Sequence, residues 1–297
     1  MPLLIVAGPT ASGKTALAIA LCERLGGEVV SADSMQVYRG MDIATAKPTS
    51  EEMVRVRHHL ISVVEPDERF SVTKYASMAH EAIADIHARG KLPVLCGGTG
   101  LYIRAVAENW RLTLGEIAQE INGTWEELCE IDPEHAAKIH PNDHKRVNHA
   151  LALYRGTGVT LTEQNANSRT EPTPYDAKMI FLNARDREAL YRRIERRVDE
   201  MIANGLVEEA RDEAVGSTAA QAIGHKELGP YLRGECALEE AVAKLKQETR
   251  RYAKRQLSWF RRTAREWENR CIALYMEDED LVERAITFAE VKDFERE

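Results

Sequence analysis

Leu3-Leu4-Ile5-Val6-Ala7-Gly8-Pro9-Thr10-Ala11-Ser12-Gly13-Lys14-Thr15 is the stretch on which the fold of this chain turns. The apolar run Leu3–Ala7 reads as a buried strand. The next eight residues fit G-x-x-x-x-G-K-[ST], a loop whose backbone N–H groups wrap a diphosphate. Leu17, Ala18, Ala20 and Leu21 follow at helical spacing, so strand, loop and helix stand in the order the pattern requires. Gly8, Pro9, Thr10, Ala11, Ser12, Gly13, Lys14 and Thr15 are therefore the candidate anion cradle. Its amides and the helix dipole favour an oxyanion. Lys14 would add a point charge on the terminal phosphate oxygens, and the Thr15 hydroxyl is the candidate ligand for Mg²⁺. The motif requires a diphosphate without saying which molecule carries it.

Outward from this loop, strand and helix patterns alternate. Glu28–Ser31 and Leu92–Cys96 read as buried strands, His59–Val64 as another, and Val72–Ala88 as a helix closed by Gly90. Strands separated by helices predict an α/β fold, a P-loop-containing parallel sheet flanked by helices. From residue 109 the pattern turns helical and polar, with helices expected over Glu116–Glu130, Pro133–Ile139 and Asp143–Tyr154. Gly158–Pro174, rich in Thr, Asn, Ser and Pro, reads as loop. Met179–Leu182 looks like a return strand, and the remainder is largely helical: Leu190–Ala203, Val207–Ala214 and a long helix from Leu238 to Trp267. The expected organisation is thus a discontinuous catalytic core, 1–108 and 176–297, carrying a helical insertion domain, 109–175.

Composition narrows the possibilities. A net charge of −8 argues against nucleic acid binding over the whole surface. The five cysteines lie far apart with no C-x-x-C pair, so neither zinc nor a disulfide framework is indicated. His58, His59, His80, His87, His135, His140, His144 and His149 fit no metal-ligand spacing and read as structural or surface residues. No apolar run approaches the ~18 residues of a membrane span. The expectation is a cytoplasmic monomer with reduced thiols.

Two further features bear on chemistry. The strand before Gly97 ends in Cys-Gly-Gly-Thr, without the metal-holding Asp usual in phosphoryl-transfer relatives of this loop. The first acid at a strand end is Asp33, and ligands of open α/β sheets bind off the carboxyl ends of the strands. Asp33, Thr99 and the Lys14 loop are therefore expected to converge. Beside a diphosphate, Asp33 fits metal binding, proton removal or a plain turn cap. The other feature is charge. Lys244–Arg270 holds ten basic residues against three acids, net +7. Leu238, Val242, Leu245, Tyr252, Trp259 and Thr263 recur at helical spacing as its buried stripe. That density of Arg and Lys with aromatics fits phosphate-backbone contact or a solvated helix. Arg192-Arg193-Ile194-Glu195-Arg196-Arg197 is nearly balanced by acids, with one or two members free to turn toward a diphosphate.

These motifs, in order, resemble the tRNA dimethylallyltransferase family. The matching segments are GPTASGKT (Gly8–Thr15), DSMQVYRGMDIATAKP (Asp33–Pro48), HHLI (His58–Ile61), GGTGLY (Gly97–Tyr102) and IHPNDHKRV (Ile139–Val147). RRVDEMIANGLVEEA (Arg196–Ala210), AIGHKE (Ala222–Glu227) and RRYAKRQLSWFR (Arg250–Arg261) complete them. The resemblance implies transfer of a dimethylallyl group from dimethylallyl diphosphate to N6 of adenosine-37 in tRNA, with Mg²⁺ as cofactor and diphosphate as product. It implies Asp33 and Thr99 as catalytic residues and Arg197 as a partner of the loop on the diphosphate. Asp33, Ser34, Met35, Gln36 and Thr99 would receive the base. Lys145, Arg146, Lys254, Arg255, Gln256, Trp259 and Arg261 would contact the anticodon stem-loop, with Gln221–Lys226 a looser match and the insertion gripping its far side. Departures from the family pattern are Ala44 for Gly, His149 for Arg, His225 for Tyr, Ser258 for Thr, and a shorter insertion around Ala107–Glu120. They bear on tRNA affinity and leave the diphosphate machinery untouched. The rival readings are a small-molecule P-loop kinase, an enzyme prenylating free adenine nucleotides, and a nucleotide-gated RNA-binding protein without covalent chemistry.

Overall fold

The computed structural model describes residues 1–111, 121–168, 171–212 and 222–290. These fall into two compact units, Met1–Ile103 with Tyr175–Glu297, and Arg104–Pro174. In chain order the elements before the second unit are β1 (Pro2–Ala7), α1 (Lys14–Leu25), β2 (Gly27–Ser31), α2 (Ser50–Arg55), β3 (His58–His59), α3 (Val72–Ala88), β4 (Leu92–Gly97) and α4 (Gly100–Ala107). The second unit holds α5 (Trp125–Ile131), α6 (Pro133–Ala136), α7 (His144–Thr157) and α8 (Leu161–Asn167). The chain returns through β5 (Asp176–Asn183), α9 (Arg187–Ala203), α10 (Leu206–Asp212), α11 (His225–Leu232), α12 (Leu238–Glu266), β6 (Cys271–Tyr275) and α13 (Leu281–Glu290).

The six strands form one parallel sheet in the order β3-β2-β4-β1-β5-β6. Continuous apolar runs suit strands covered on both faces, and β1 is buried at every position after Pro2. Leu17, Leu21 and Cys22 of α1 pack with Leu4, Val6, Val94 and Ile180 on one side, joined by Ala285 and Ile286 of α13. A second apolar cluster, Val198, Leu206, Leu228, Ala241 and Leu245, binds α9, α10, α11 and α12 together. Register aligns the carboxyl ends of the central strands: Ala7 lies beside Gly97 and Phe181, and Ser31 beside Cys96. Ala32 N–H donates to the Cys96 carbonyl (2.8 Å) and Thr99 N–H to the Ala32 carbonyl (3.1 Å), carrying the pairing past the strand ends. The segments following β1, β2 and β4 consequently leave the sheet side by side.

The expected strand His59–Val64 is shorter in the structure, only His58–His59. Leu60 (φ 63°) and Ser62 (φ 53°) adopt left-handed backbone that no strand tolerates. The following amides turn instead to the 36–37 segment, Ser62 N–H to Gln36 O and Val63 N–H to Val37 O. The expected loop Gly158–Pro174 contains α8, started by a capping box in which Thr160 and Glu163 satisfy each other's backbone N–H. Asp132 holds that helix through the Thr162 amide (3.0 Å) and hydroxyl (2.6 Å). The core of the second unit is Leu128, Ala136, Val147, Ala150 and Leu151. Of the helix expected over Glu116–Glu130, residues 116–120 lie outside the described residues, and α5 begins only after its cap Thr124. Residues 213–214, the end of the expected Val207–Ala214 helix, also lie outside them. β6 follows the last of the expected helices, in a stretch for which no strand was expected, and adds the last parallel strand. No helix among the described residues is long and apolar enough to cross a membrane.

One charged cluster locks the sheet away from the site. The Glu28 side chain, 3% exposed, accepts from Arg89 Nη2, Lys91 Nζ and His59 Nε2, each at 2.8 Å. Arg89 foremost holds the Glu28 carboxyl well below the usual carboxylate range. Because the folded pKa is depressed, this stabilisation is complete above the unfolded value of about 4.3 and is lost as pH falls below it. Glu28→Gln is expected to cost about 1.5–3 kcal/mol in urea unfolding at pH 7, a difference that shrinks toward pH 3. Equal midpoints at pH 7 would remove the cluster from the stability of the sheet.

Candidate active site

The loop between β1 and α1 is built around two backbone requirements. Gly13 has φ 89° and Ala11 φ 62°, a curl that turns successive N–H groups inward. Ser12 is 2% exposed and its Oγ has no hydrogen-bond partner among the described residues. Lys14 Nζ donates to the loop's own Pro9 carbonyl at 2.9 Å. Burial pulls its pKa down to about 8, with Arg197 adding to the fall and Asp33 and Cys96 opposing it. A buried ammonium beside an orphan hydroxyl and inward amides suits an oxyanion.

Gln256 of α12 fastens this loop to the end of β4. Its Oε1 accepts from Thr10 N–H (2.9 Å) and its Nε2 donates to the Gly98 carbonyl (3.0 Å). A Cβ on Gly98 would stand 2.2 Å from that Nε2, so only glycine admits the tie. Gln256 was expected to touch RNA. It is 5% exposed with both ends of the amide engaged, and its observed work is holding the loop.

Asp33 leaves β2 at the same edge. Its Oδ1 accepts from Met35 N–H (2.9 Å), the turn-cap geometry, and the residue lines the cavity of this site. Thr99 Oγ1 accepts from Ser34 N–H (3.0 Å), tying the Asp33 turn to the start of α4. Tyr252 lies beside Thr99 and Gln256; burial raises its pKa, and Asp33 adds to the rise. Gln36 spends its amide on Ser31 Oγ and the Thr45 and Ala46 carbonyls, holding the next wall of the site.

These elements enclose a cavity of about 530 Å³. Thr10, Ala11, Gly13, Lys14, Thr15, Asp33, Gln36, Gln256 and Arg197 line it, together with Arg193 and Arg196. Gly8, Pro9, Ser12, Ser34, Met35 and Thr99, also expected at the site, are not among the residues that line it. A smaller pocket of about 60 Å³ shares Thr10, Thr45 and Arg197 with it, and its other walls are mainly apolar: Ala44, Ile194, Val198, Met201, Leu206, Ile223 and Leu245. Glu209 clamps the loop bearing Ala44, accepting from Ile43 N–H (2.7 Å) and Ala44 N–H (2.8 Å). His225 Nε2 lies 3.6 Å from the same carboxylate. Two of the sequence departures, Ala44 and His225, thus meet at one carboxylate beside this pocket. Ser258 and His149 lie on exposed helix surfaces.

The basic helix is partly spent within the fold. α9 supplies Glu195 to Arg250 and Asp199 to Lys246. Lys254 and Arg255 are exposed and form no ion pair among the described residues. Arg261, also exposed, donates to Asn183 Oδ1 at 3.2 Å. Of the expected stripe, Leu245 and Thr263 are buried and Leu238, Val242, Tyr252 and Trp259 half-buried; Ala241, Ala253, Gln256, Leu257 and Phe260 widen the buried face. The Trp259 indole lies against Gly100, where a Cβ would come 2.1 Å from Nε1. In the second unit, Lys145 and Arg146 are exposed on α7, Arg146 pairing with Asp143 at 3.1 Å. Gln221 lies outside the described residues; of the segment after it, Lys226 is exposed and His225 buried.

Among the described residues, His, Cys, Asp and Glu form no cluster able to hold a metal ion. The donor set at the loop, the Thr15 hydroxyl with Asp33 across the cavity, fits a Mg²⁺ carried mainly by diphosphate oxygens rather than by a protein cage.

A parallel sheet with this loop at its carboxyl edge defines a P-loop fold, here with Asp33, Glu52 and Glu200 as the acids that line the cavity beside the loop. The IPP transferase family model matches residues 36–263, and the chain belongs to that family of transferases. The tRNA dimethylallyltransferase of Caldanaerobacter subterraneus subsp. tengcongensis is 48% identical over 87% of this chain and 88% of its own length. That of Halalkalibacterium halodurans is 47% identical over 88% of each. Among solved structures, the full-length tRNA isopentenylpyrophosphate transferase from Bacillus halodurans aligns with TM-score 0.73 and 42% identity, covering 97% of this chain and 94% of that one. A eukaryotic dimethylallyltransferase captured acting on tRNA aligns with TM-score 0.79 and 29% identity, covering 96% and 78%.

Proposed function

We propose that this chain transfers the dimethylallyl group of dimethylallyl diphosphate to N6 of adenosine-37 in the anticodon stem-loop of tRNA. The observation that carries the reading is the shared cavity: Lys14, Thr15, Arg197 and Asp33 all line one space of about 530 Å³. The diphosphate lies on the loop amides, and the adjoining apolar pocket beside Arg197 receives the five-carbon tail. The adenine is extruded toward Asp33, at a cost of a few kcal/mol recovered by pocket contacts.

In the transfer, the N6 lone pair forms a bond to allylic C1 as the C1–O bond breaks. The electron pair leaves on the diphosphate. Asp33 Oδ2 accepts the N6 proton, and its charge also favours the cationic allyl centre. Lys14, Arg197 and the loop amides stabilise the charge that grows on the leaving group. The Thr15 hydroxyl would hold a Mg²⁺, which when bound would add to the neutralisation of that charge. Thr99 fixes the Asp33 turn through Ser34.

Exposed Lys254 and Arg255 on α12, and Lys145 and Arg146 on α7, supply cations for RNA phosphates. Lys254→Ala with Arg255→Ala is expected to weaken tRNA binding and flatten the log K against log salt slope by about 1.5, with pyrophosphate binding unchanged. An unaltered slope would take this face of α12 out of the interface. The direct test mixes the protein, Mg²⁺, labelled dimethylallyl diphosphate and unmodified tRNA, with AMP as a parallel acceptor. Label on RNA alone supports the reading. Label on AMP alone, or phosphorylation of a small molecule, overturns it.

A further inference from the structure

α9 presents a second arginine to the anion loop, and its surroundings set it apart from its neighbours. Arg193 lines the main cavity, and its Nη2 lies 3.7 Å from where a Cβ on Gly13 would stand, beside the first turn of α1. Other charged residues on this helix are already engaged. Arg192 pairs with Asp186 (3.3 Å), Arg196 with Glu200 (3.7 Å) and Glu195 with Arg250. Arg193 forms no ion pair or hydrogen bond among the described residues. A guanidinium carries five donors in a fixed fork suited to phosphate, and one held beside a helix N-terminus is completed by an anion.

Arg197 sits one turn further along the same face, about 6 Å along the axis, where Asp33 and Glu200 act on its charge. The two guanidiniums therefore mark two ends of the anion site. Arg197 is at the Asp33 end, where carbon must lie for an amine to reach it. Arg193 is at the Gly13 end, away from the bond that breaks.

We propose that Arg193 binds the terminal phosphate of the donor and makes the site select diphosphates over monophosphates, leaving Arg197 to the phosphate bonded to carbon. This rests on the reading above, that the loop holds an allylic diphosphate. The division of labour has a kinetic signature. The terminal phosphate is bound alike in the ground and transition states, so its ligand sets KM, whereas the carbon-side ligand sets kcat.

The test uses the full chain, with inorganic pyrophosphate and inorganic phosphate as calorimetric probes, and steady-state transfer to tRNA. Arg193→Gln is expected to weaken pyrophosphate binding about tenfold while phosphate binding changes less than about twofold. KM for dimethylallyl diphosphate should rise in parallel with kcat nearly constant, and Arg193→Lys should recover part of the loss. Pyrophosphate affinity unchanged in Arg193→Gln, or pyrophosphate and phosphate weakened equally, would overturn the assignment. Wild-type protein that binds no pyrophosphate at all would instead overturn the reading of the loop.

Discussion

Replacing Asp33 by Ala is expected to lower transfer to tRNA by about 10²–10⁴-fold, the usual contribution of a positioned proton acceptor, while tRNA affinity stays nearly intact. In the proposed reading Asp33 has two duties, one per oxygen. Oδ1 caps the turn through Met35 N–H at 2.9 Å, and Oδ2 is the oxygen proposed to take the proton of the substrate amine. Asp33→Asn separates them, because an amide oxygen still accepts from Met35 whereas the amide cannot take a proton. Asn is therefore expected to be as defective as Ala in single-turnover transfer. An Asn variant near wild-type activity would reduce Asp33 to a turn cap.

Lys14→Met is expected to reduce transfer by about 10²–10³-fold, the range for losing one donor to a developing anion. The same residue sets a pH dependence. Burial brings its pKa to about 8 in the unliganded loop, and the diphosphate requires its charged form. Below that pH the proton is already in place and pyrophosphate affinity is flat. Above it, binding must take up a proton, so affinity falls by about tenfold per pH unit. Calorimetry from pH 6.5 to 9.5 should show the break in wild type and none in Lys14→Met. A break retained in the variant would place the titrating group elsewhere.

What could be read from the chain alone follows the range of the interactions concerned. Leu3–Thr15 folds by short-range rules, and a strand, a curl at Gly13 and a helix are written within fifteen consecutive residues. Asp33 was legible because it directly follows a strand, and strand ends converge in a parallel sheet. The left-handed Leu60 and Ser62 were not, because their apolar pattern is that of a strand and the reason for the break is a partner, the 36–37 segment, known only in three dimensions. α8 carried its signal openly as Thr160-Leu161-Thr162-Glu163, outweighed by the polar composition around it. The width of the buried side of α12 was the costliest gap. A buried face wider than the expected stripe takes in Gln256, whose amide fastens the anion loop, and leaves Tyr252 beside Thr99. Arg193 is the same case on α9: six charged or apolar neighbours look alike in sequence, and only packing against Gly13 singles one out.

The departure of an anion and the arrival of an amine in one cavity is the claim on which the chemistry stands. A crystal structure of the full chain with pyrophosphate and an unmodified anticodon stem-loop measures it directly. The expected result is pyrophosphate on the Thr10–Thr15 amides against Lys14, with an extruded adenine whose N6 lies about 3 Å from Asp33 Oδ2. An adenine still stacked in the loop, or seated away from Asp33 with pyrophosphate bound on the loop, would contradict it.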